Sequence, residues 1–265
     1  MKNSLGKKPA NSIKAGDMFS LGNHLLLCGD STDEALVQKF LKGQKIDLIL
    51  TDPPYGVAYV EGKKGFLDQK EHKAIANDHE QSEEEYGFFT QKWLSAVAPS
   101  LSKKNAFYIF NSDHMLFGLK KGAQRSGFFF AQLLIWIKSN AVLGRKDYLP
   151  QHELIAYGWR GTHKFLKSKD KSVLFYPKPQ KNDLHPTMKP VGLLRHLILN
   201  STRIGESIYD PFGGSGSTLI ACEQTKRKCL MVELDPEYCQ VIIDRFEKLT
   251  KVKPQKLPAL SLVAA

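Results

Sequence analysis

The chain has only four cysteines, Cys28, Cys222, Cys229 and Cys239; none forms a C-x-x-C pair and none stands at zinc spacing from a histidine. A disulfide framework and a zinc module therefore both fit poorly, and the apolar neighbours of these residues predict reduced, buried thiols. No apolar run is long enough to span a bilayer, and the opening stretch MKNSLGKKPANS lacks the apolar segment of a signal peptide. These absences predict a cytoplasmic protein with no membrane partner. Acidic side chains are also in deficit, 27 against 38 basic ones, for a formal charge of +11. Such a balance suits a polyanionic partner, nucleic acid first, although a merely soluble basic protein would look the same.

A length of 265 residues suits one large α/β domain better than two small ones. Short β-rich apolar runs alternate with longer helical patterns, which predicts a Rossmann-like, doubly wound, mostly parallel sheet. Seven strands are expected, at 24–28, 46–50, 106–110, 131–137, 153–157, 207–209 and 228–232. Little but a loop separates 131–137 from 153–157, so these two should form an antiparallel pair at one sheet edge. Ser82-Glu83-Glu84-Glu85 reads as a capping box opening a helix that runs to about Ala98. Pro190, followed by Val191, Leu194, Leu197 and Ile198, opens another helix, and further helices follow the glycine loop and Pro236. Residues 1–12 and 251–265 read as flexible ends around a domain at 13–250, with a short basic insertion at 160–184.

Asp52-Pro53-Pro54-Tyr55 ends the apolar run at 46–51 and suits work on an amino group attached to an aromatic ring. Such a nitrogen is a poor nucleophile because its lone pair is delocalised, so a catalyst must aim acceptors at its two hydrogens. Asp52 offers a carboxylate, and Pro53, with no N–H and a fixed φ, can hold its carbonyl as the second acceptor. Tyr55 could stack on the ring. The plain structural reading of the same residues is a Pro-Pro turn with an Asp cap.

Asp210-Pro211-Phe212-Gly213-Gly214-Ser215-Gly216-Ser217-Thr218 lies between an expected strand and an expected helix. Glycines let backbone approach a ligand, and a helix amino terminus offers free N–H donors. No lysine stands between Gly216 and Ser217, which excludes a Walker loop, and Leu219 occupies the place of the third glycine of the nicotinamide fingerprint. Glu233, at the end of the next strand, is placed to bind the ribose of an adenosine-bearing cofactor. S-adenosylmethionine carries both that ribose and a transferable methyl group.

With these residues in view, the chain resembles the amino-group DNA methyltransferases of the β arrangement, in which the catalytic motif precedes the glycine loop in a circularly permuted order. Asp52-Pro53-Pro54-Tyr55 resembles the catalytic motif, and Gly213 to Gly216 the cofactor motif. His185-Pro186-Thr187-Met188-Lys189-Pro190 resembles the element before the cofactor strand. Gly29-Asp30-Ser31 resembles the segment whose Asp contacts the cofactor adenine. The resemblance runs from about Ile13 to Phe246. It implies S-adenosylmethionine as cofactor and no metal. Asp52, Pro53, Pro54 and Tyr55 would be catalytic. Asp30, Asp210, Phe212, Gly213, Gly214, Ser215, Gly216, Thr218 and Glu233 would hold the cofactor. Thr187 and Lys189 would either join them or cap the helix at Pro190. His185 reads as structural, and His152-Glu153 as the start of a strand rather than a zinc site.

Trp136-Ile137-Lys138, together with the segment from Gly144-Arg145 through Tyr148 to His152-Glu153, resembles a stretch of the adenine-modifying members. Residues 160–181 carry seven basic side chains against the single acid Asp170, with Phe165, Phe175 and Tyr176 among them. Lys138, Arg145, Lys164, Lys167, Lys169 and Lys171 are thus the expected contacts to double-stranded DNA, mainly at phosphates; a solvated lysine-rich loop is the alternative. Target selection would fall to this segment, to the loop at 56–79 or to a second subunit. The expected activity is site-specific methylation of adenine N6 in DNA, since Asp rather than Ser opens the motif. Cytosine N4, RNA or a protein amide, and a non-catalytic DNA-binding module are the alternatives. A homodimer and a cognate restriction endonuclease fit the resemblance as partners.

Overall fold

The structure is a computed structural model that describes residues 13–55, 81–141, 147–167, 169–177 and 188–260. Its centre is four parallel neighbours: β2 (His24–Cys28), β10 (Lys228–Glu233), β9 (Ser207–Asp210) and β3 (Ile46–Thr51), followed by β4 (Leu101–Asn111), also parallel. Strands covered on both faces need apolar residues at nearly every position, and β3 and β10 are buried almost throughout. Beyond β4 the sheet turns antiparallel through β6 (His152–Trp159) and β5 (Phe129–Ile137), the pair anticipated from the short connection between them.

All seven expected strands are in the sheet, and four short ones join them. β1 (Met18–Leu21) pairs with β2 across Gly22-Asn23, a two-residue hairpin opened by Gly22 at φ 60°. β7 (Thr162–His163) lies against β4, and β8 (Val173–Phe175) lies outside β5. β11 (Gln255–Leu257) pairs with β1. This last strand corrects the expectation of a loose tail from residue 251: Lys256 Nζ donates to Asp17 Oδ2 at 2.6 Å, and Leu260 N donates to Gly16 O. Sheet pairing holds a segment too short and polar to announce itself as a strand.

Helices cover both faces. On one side α1 (Glu34–Phe40), α2 (Glu83–Val97) and α3 (Leu116–Arg125) bury Val37, Trp93, Leu94 and Leu119 against Ile49, Ile109, Tyr209 and Leu230. On the other, α4 (Val191–Ser201), α5 (Ser217–Thr225) and α6 (Pro236–Thr250) bury Leu194, Leu197, Leu219 and Phe246 against Leu48, Tyr108, Ile208 and Met231. Alternate residues of each strand feed alternate cores, as the pleat requires. The capping box at Ser82 and Glu85 is formed, and Asp235 caps α6 ahead of Pro236. The four cysteines are free and buried. No helix among the described residues is long and apolar enough to cross a membrane.

Candidate active site

Because β2, β10, β9 and β3 are parallel, their carboxyl ends share one edge of the sheet. The chain leaves β9 into α5 on one face and leaves β3 towards α2 on the other, so a crevice opens between these two neighbours. Register pairs Leu48 with Ile208 and Ile49 with Tyr209, which brings Thr51-Asp52 level with the start of the glycine loop. Thr51 Oγ1 donates to Asp210 Oδ1 at 2.7 Å. The two motifs, 158 positions apart from Asp52 to Asp210 in sequence, are thus joined by one buried hydrogen bond.

Asp210 also takes the Phe212 N–H at 3.1 Å and the Thr218 hydroxyl, so its carboxylate pins both ends of the loop. Burial pushes its pKa up to about 7 against these donors. At Gly213 a Cβ would stand 2.8 Å from Met231 Sδ, and its N–H donates to Val232 O. Gly216 has φ 77° and begins α5, whose first N–H groups have no partner within the helix. Ser215 and Ser217 are buried with hydroxyls 3.3 Å apart, and Arg245 donates to the Ser215 carbonyl. Phe212 turns its ring towards α2, 5.6 Å from the rings of Phe89 and Trp93, so its contribution to the loop is its backbone.

Glu233, 8% exposed, accepts from Gly214 N at 2.6 Å through Oε2 and from Asp235 N at 2.8 Å through Oε1. Burial, resisted by these donors, pushes its pKa up to about 7. A backbone hydrogen bond from Leu234 joins these, and the carboxylate keeps acceptor capacity beyond the three. Gly29 N donates to Glu233 O, so Asp30 comes to the same edge; its exposed carboxylate takes Thr32 N and Oγ1, both at 2.8 Å.

Asp52 is engaged at both oxygens. Tyr55 Oη donates to Oδ1 at 2.7 Å, and Lys189 Nζ lies 2.5 Å from Oδ2. Lys189, just before α4, is 8% exposed, lies 5.1 Å from the Phe110 ring, and lies 3.1 Å from Glu153 on β6. Glu153 in turn meets Lys138 Nζ at 2.7 Å. Burial raises the Asp52 pKa, with Lys189 opposing it, and burial beside Asp52 raises the Tyr55 phenol well above its usual range. Burial works against the charge of Lys189, yet the two carboxylates win and its pKa is raised; the two ammoniums likewise hold Glu153 low against burial. Lys189, one of the expected cofactor contacts, is therefore placed on the catalytic motif.

The expected DNA contacts separate. Lys138 is 7% exposed and paired with Glu153, so its charge is met within the interior. Lys164 is also held inside, bridging Asp47 and Glu206 at 3.1 and 2.6 Å at the amino ends of β3 and β9, the edge opposite the crevice. Lys167, Lys169 and Lys171 are exposed, on a segment tied to α4 where Leu166 N meets Asn200 O and Asp170 meets His196 and Asn200. Thr187, His185, Arg145, the loop at 56–79 and part of the basic insertion lie outside the described residues. Sequence reading missed Thr51 and underrated Glu153. An acid inside the otherwise apolar β6 was a usable signal, since a charge in such a place needs a partner.

An open α/β sheet with an acid-capped glycine loop at its switch point defines an enzyme built around a nucleoside-bearing cofactor. Comparison with known proteins makes this specific. The model of the N6/N4 DNA methylase family matches residues 46–244, and the chain belongs to that family. The type II methyltransferase M2.DpnII of Streptococcus pneumoniae is 24% identical over 249 residues, 85% of this chain and 90% of that protein. Among solved structures, M1.HpyAVI in complex with SAM is similar with a TM-score of 0.61 at 23% identity, covering 83% of this chain and 98% of that one. The cytosine-N4-specific PvuII DNA methyltransferase has a TM-score of 0.65 at 20% identity, covering 87% and 91%. The protein is a DNA methyltransferase, and the methyl donor of the family is S-adenosylmethionine. The residues present fit that donor: Asp30 and Glu233 offer carboxylate acceptors to amine and hydroxyl groups, and the start of α5 offers N–H groups to a carboxylate.

Proposed function

We propose that the protein methylates the N6 amino group of adenine at a defined site in double-stranded DNA. Glu233 would bind the ribose of S-adenosylmethionine, Asp30 the adenine and the glycine loop the methionine end. Bound there, the cofactor supplies an electrophilic methyl group on a sulfonium. The target base must leave the helical stack to reach it, because its amine is otherwise paired. Tyr55 provides a face for the extruded base. The Asp52 carboxylate and the Pro53 carbonyl accept the two amine hydrogens, drawing the nitrogen towards tetrahedral geometry and stabilising the positive charge it acquires on methylation. The surplus proton then passes to solvent. No covalent bond to the protein is required, so catalysis rests on position and electrostatics.

The observation that supports this reading is the Thr51–Asp210 hydrogen bond, which sets the Asp52 motif beside the glycine loop at neighbouring strand ends. Asp52 at the head of the motif favours adenine over cytosine. A companion endonuclease of the same site specificity belongs to this reading, supported by the type II designation of the relative from Streptococcus pneumoniae. Mass analysis of nucleosides from DNA treated with the protein and S-adenosylmethionine tests the base assignment. N6-methyladenine is expected, and finding N4-methylcytosine alone would remove it.

A further inference from the structure

Four side chains beside the crevice form a line of alternating charge: Lys138, Glu153, Lys189 and Asp52. The line is uneven at its centre. Lys189 Nζ sits 2.5 Å from Asp52 Oδ2 and 3.1 Å from Glu153 Oε2, so one ammonium is shared unequally between two carboxylates. Glu153 Oε2 is buried, and its close counter-charge is the Lys189 ammonium at 3.1 Å. A buried carboxylate oxygen held by the far edge of one ammonium gains from a closer approach, so the site contains an acceptor that Lys189 can engage more fully.

The proposed function, on which this inference rests, creates a need for that acceptor. Asp52 must receive a hydrogen from the target amine, and an ammonium at Oδ2 and Tyr55 at Oδ1 already compete for its lone pairs. We propose that Glu153 is a positioning residue that takes over the Lys189 ammonium when the target amine binds Asp52. Lys138, 2.7 Å from Glu153 Oε1 and 5.3 Å from the Trp136 ring, holds Glu153 in place for this exchange. One N–H···O contact moves from Asp52 to Glu153. No proton changes owner, and the four groups keep a net charge of zero. Both acceptors already lie within 3.1 Å of Lys189 Nζ, so a small side-chain rotation is sufficient.

The test is the single-turnover rate of methyl transfer by the full chain to duplex DNA, with S-adenosylmethionine binding measured separately by calorimetry. Glu153→Gln should lower the rate by about tenfold to a hundredfold while leaving cofactor affinity unchanged. Glu153→Asp keeps the charge needed for folding but moves the acceptor away, and should give an intermediate rate. Lys189→Met should keep measurable transfer, because Asp52 remains, and adding Glu153→Gln to it should cause no further fall. A wild-type rate in either Glu153 variant, an equal fall in both backgrounds, or complete loss in Lys189→Met would overturn the proposal. Asp52→Ala, run in parallel, separates the two claims. Its inactivity beside a fully active Glu153→Gln would remove only the positioning role, whereas an active Asp52→Ala would remove the catalytic reading itself.

Discussion

Strand β3 carries an aspartate near each end, and each is paired with a lysine that also meets a glutamate. At the amino end Asp47 and Glu206 share Lys164; at the carboxyl end Asp52 and Glu153 share Lys189. The two bridges differ in what else they do. Asp47 Oδ2 also takes the Ser207 N–H at 3.2 Å, so the first bridge ties β3 to the start of β9 with its groups engaged. The second bridge divides one ammonium unequally between Asp52 at 2.5 Å and Glu153 at 3.1 Å and sits beside the glycine loop. Similar chemistry serves as a brace at one edge and, in the proposed function, as a reactive arrangement at the other. Location at the switch point decides between them, not the ion pair itself.

Substituting the two aspartates is the strongest way to break this comparison. Asp52→Ala should lower kcat/KM by about a thousandfold, the scale of losing a preorganised electrostatic contact, with cofactor affinity retained. Asp47→Ala should do the reverse: transfer continues, while Lys164 keeps Glu206 and the lost acceptor costs about 2 kcal/mol. That corresponds to a fall in melting temperature of roughly 4–8 °C for a chain of this size, readable by calorimetry. Equal losses of activity in the two variants would erase the distinction.

Glu233→Ala comes next. Removing a charged hydrogen-bond acceptor should weaken S-adenosylmethionine binding by about tenfold to a hundredfold, measured by titration, and an unaltered affinity would take Glu233 out of the cofactor site. Its pH dependence sharpens the point. Burial raises the Glu233 pKa to about 7, so in the cofactor-free protein the group holds its proton below that pH. Hydroxyl donors favour the carboxylate, so binding should release a proton below about pH 7 and tighten as pH rises through it. Calorimetry in buffers of different ionisation enthalpy measures that proton, and a flat profile would contradict the assignment. The smallest effect is expected from Lys167→Ala. Its neighbour Leu166 is held at Asn200 near the carboxyl end of α4, away from the crevice, so the salt dependence of DNA binding should not change.

Much of the fold was legible because its strands carry their own signal. β3 and β10 are apolar at nearly every position, since helices cover both faces, and the turns beside them are marked by Pro53 and by Gly213 to Gly216. The short strands were not legible: β7 and β11 are polar and owe their conformation to neighbouring backbone, which no local pattern records. In the candidate site, the Asp52 motif and the glycine loop were each legible as a turn at a strand end, and the fold sets them side by side. The fate of the lysines did not. Lys138 and Lys164 read as surface charge in a basic chain, and only the folded arrangement brings Glu153, Asp47 and Glu206 to them. A charge in sequence carries no record of its counter-ion when that partner is distant, as Asp47 is from Lys164.

The most direct measurement is a crystal structure of the full chain with S-adenosylmethionine bound. The ribose is expected on Glu233, the methionine end along Gly213 to Gly216, and the sulfonium methyl facing the Asp52 carboxylate. A cofactor seated elsewhere, or one whose methyl group points away from Asp52 and Tyr55, would contradict that placement.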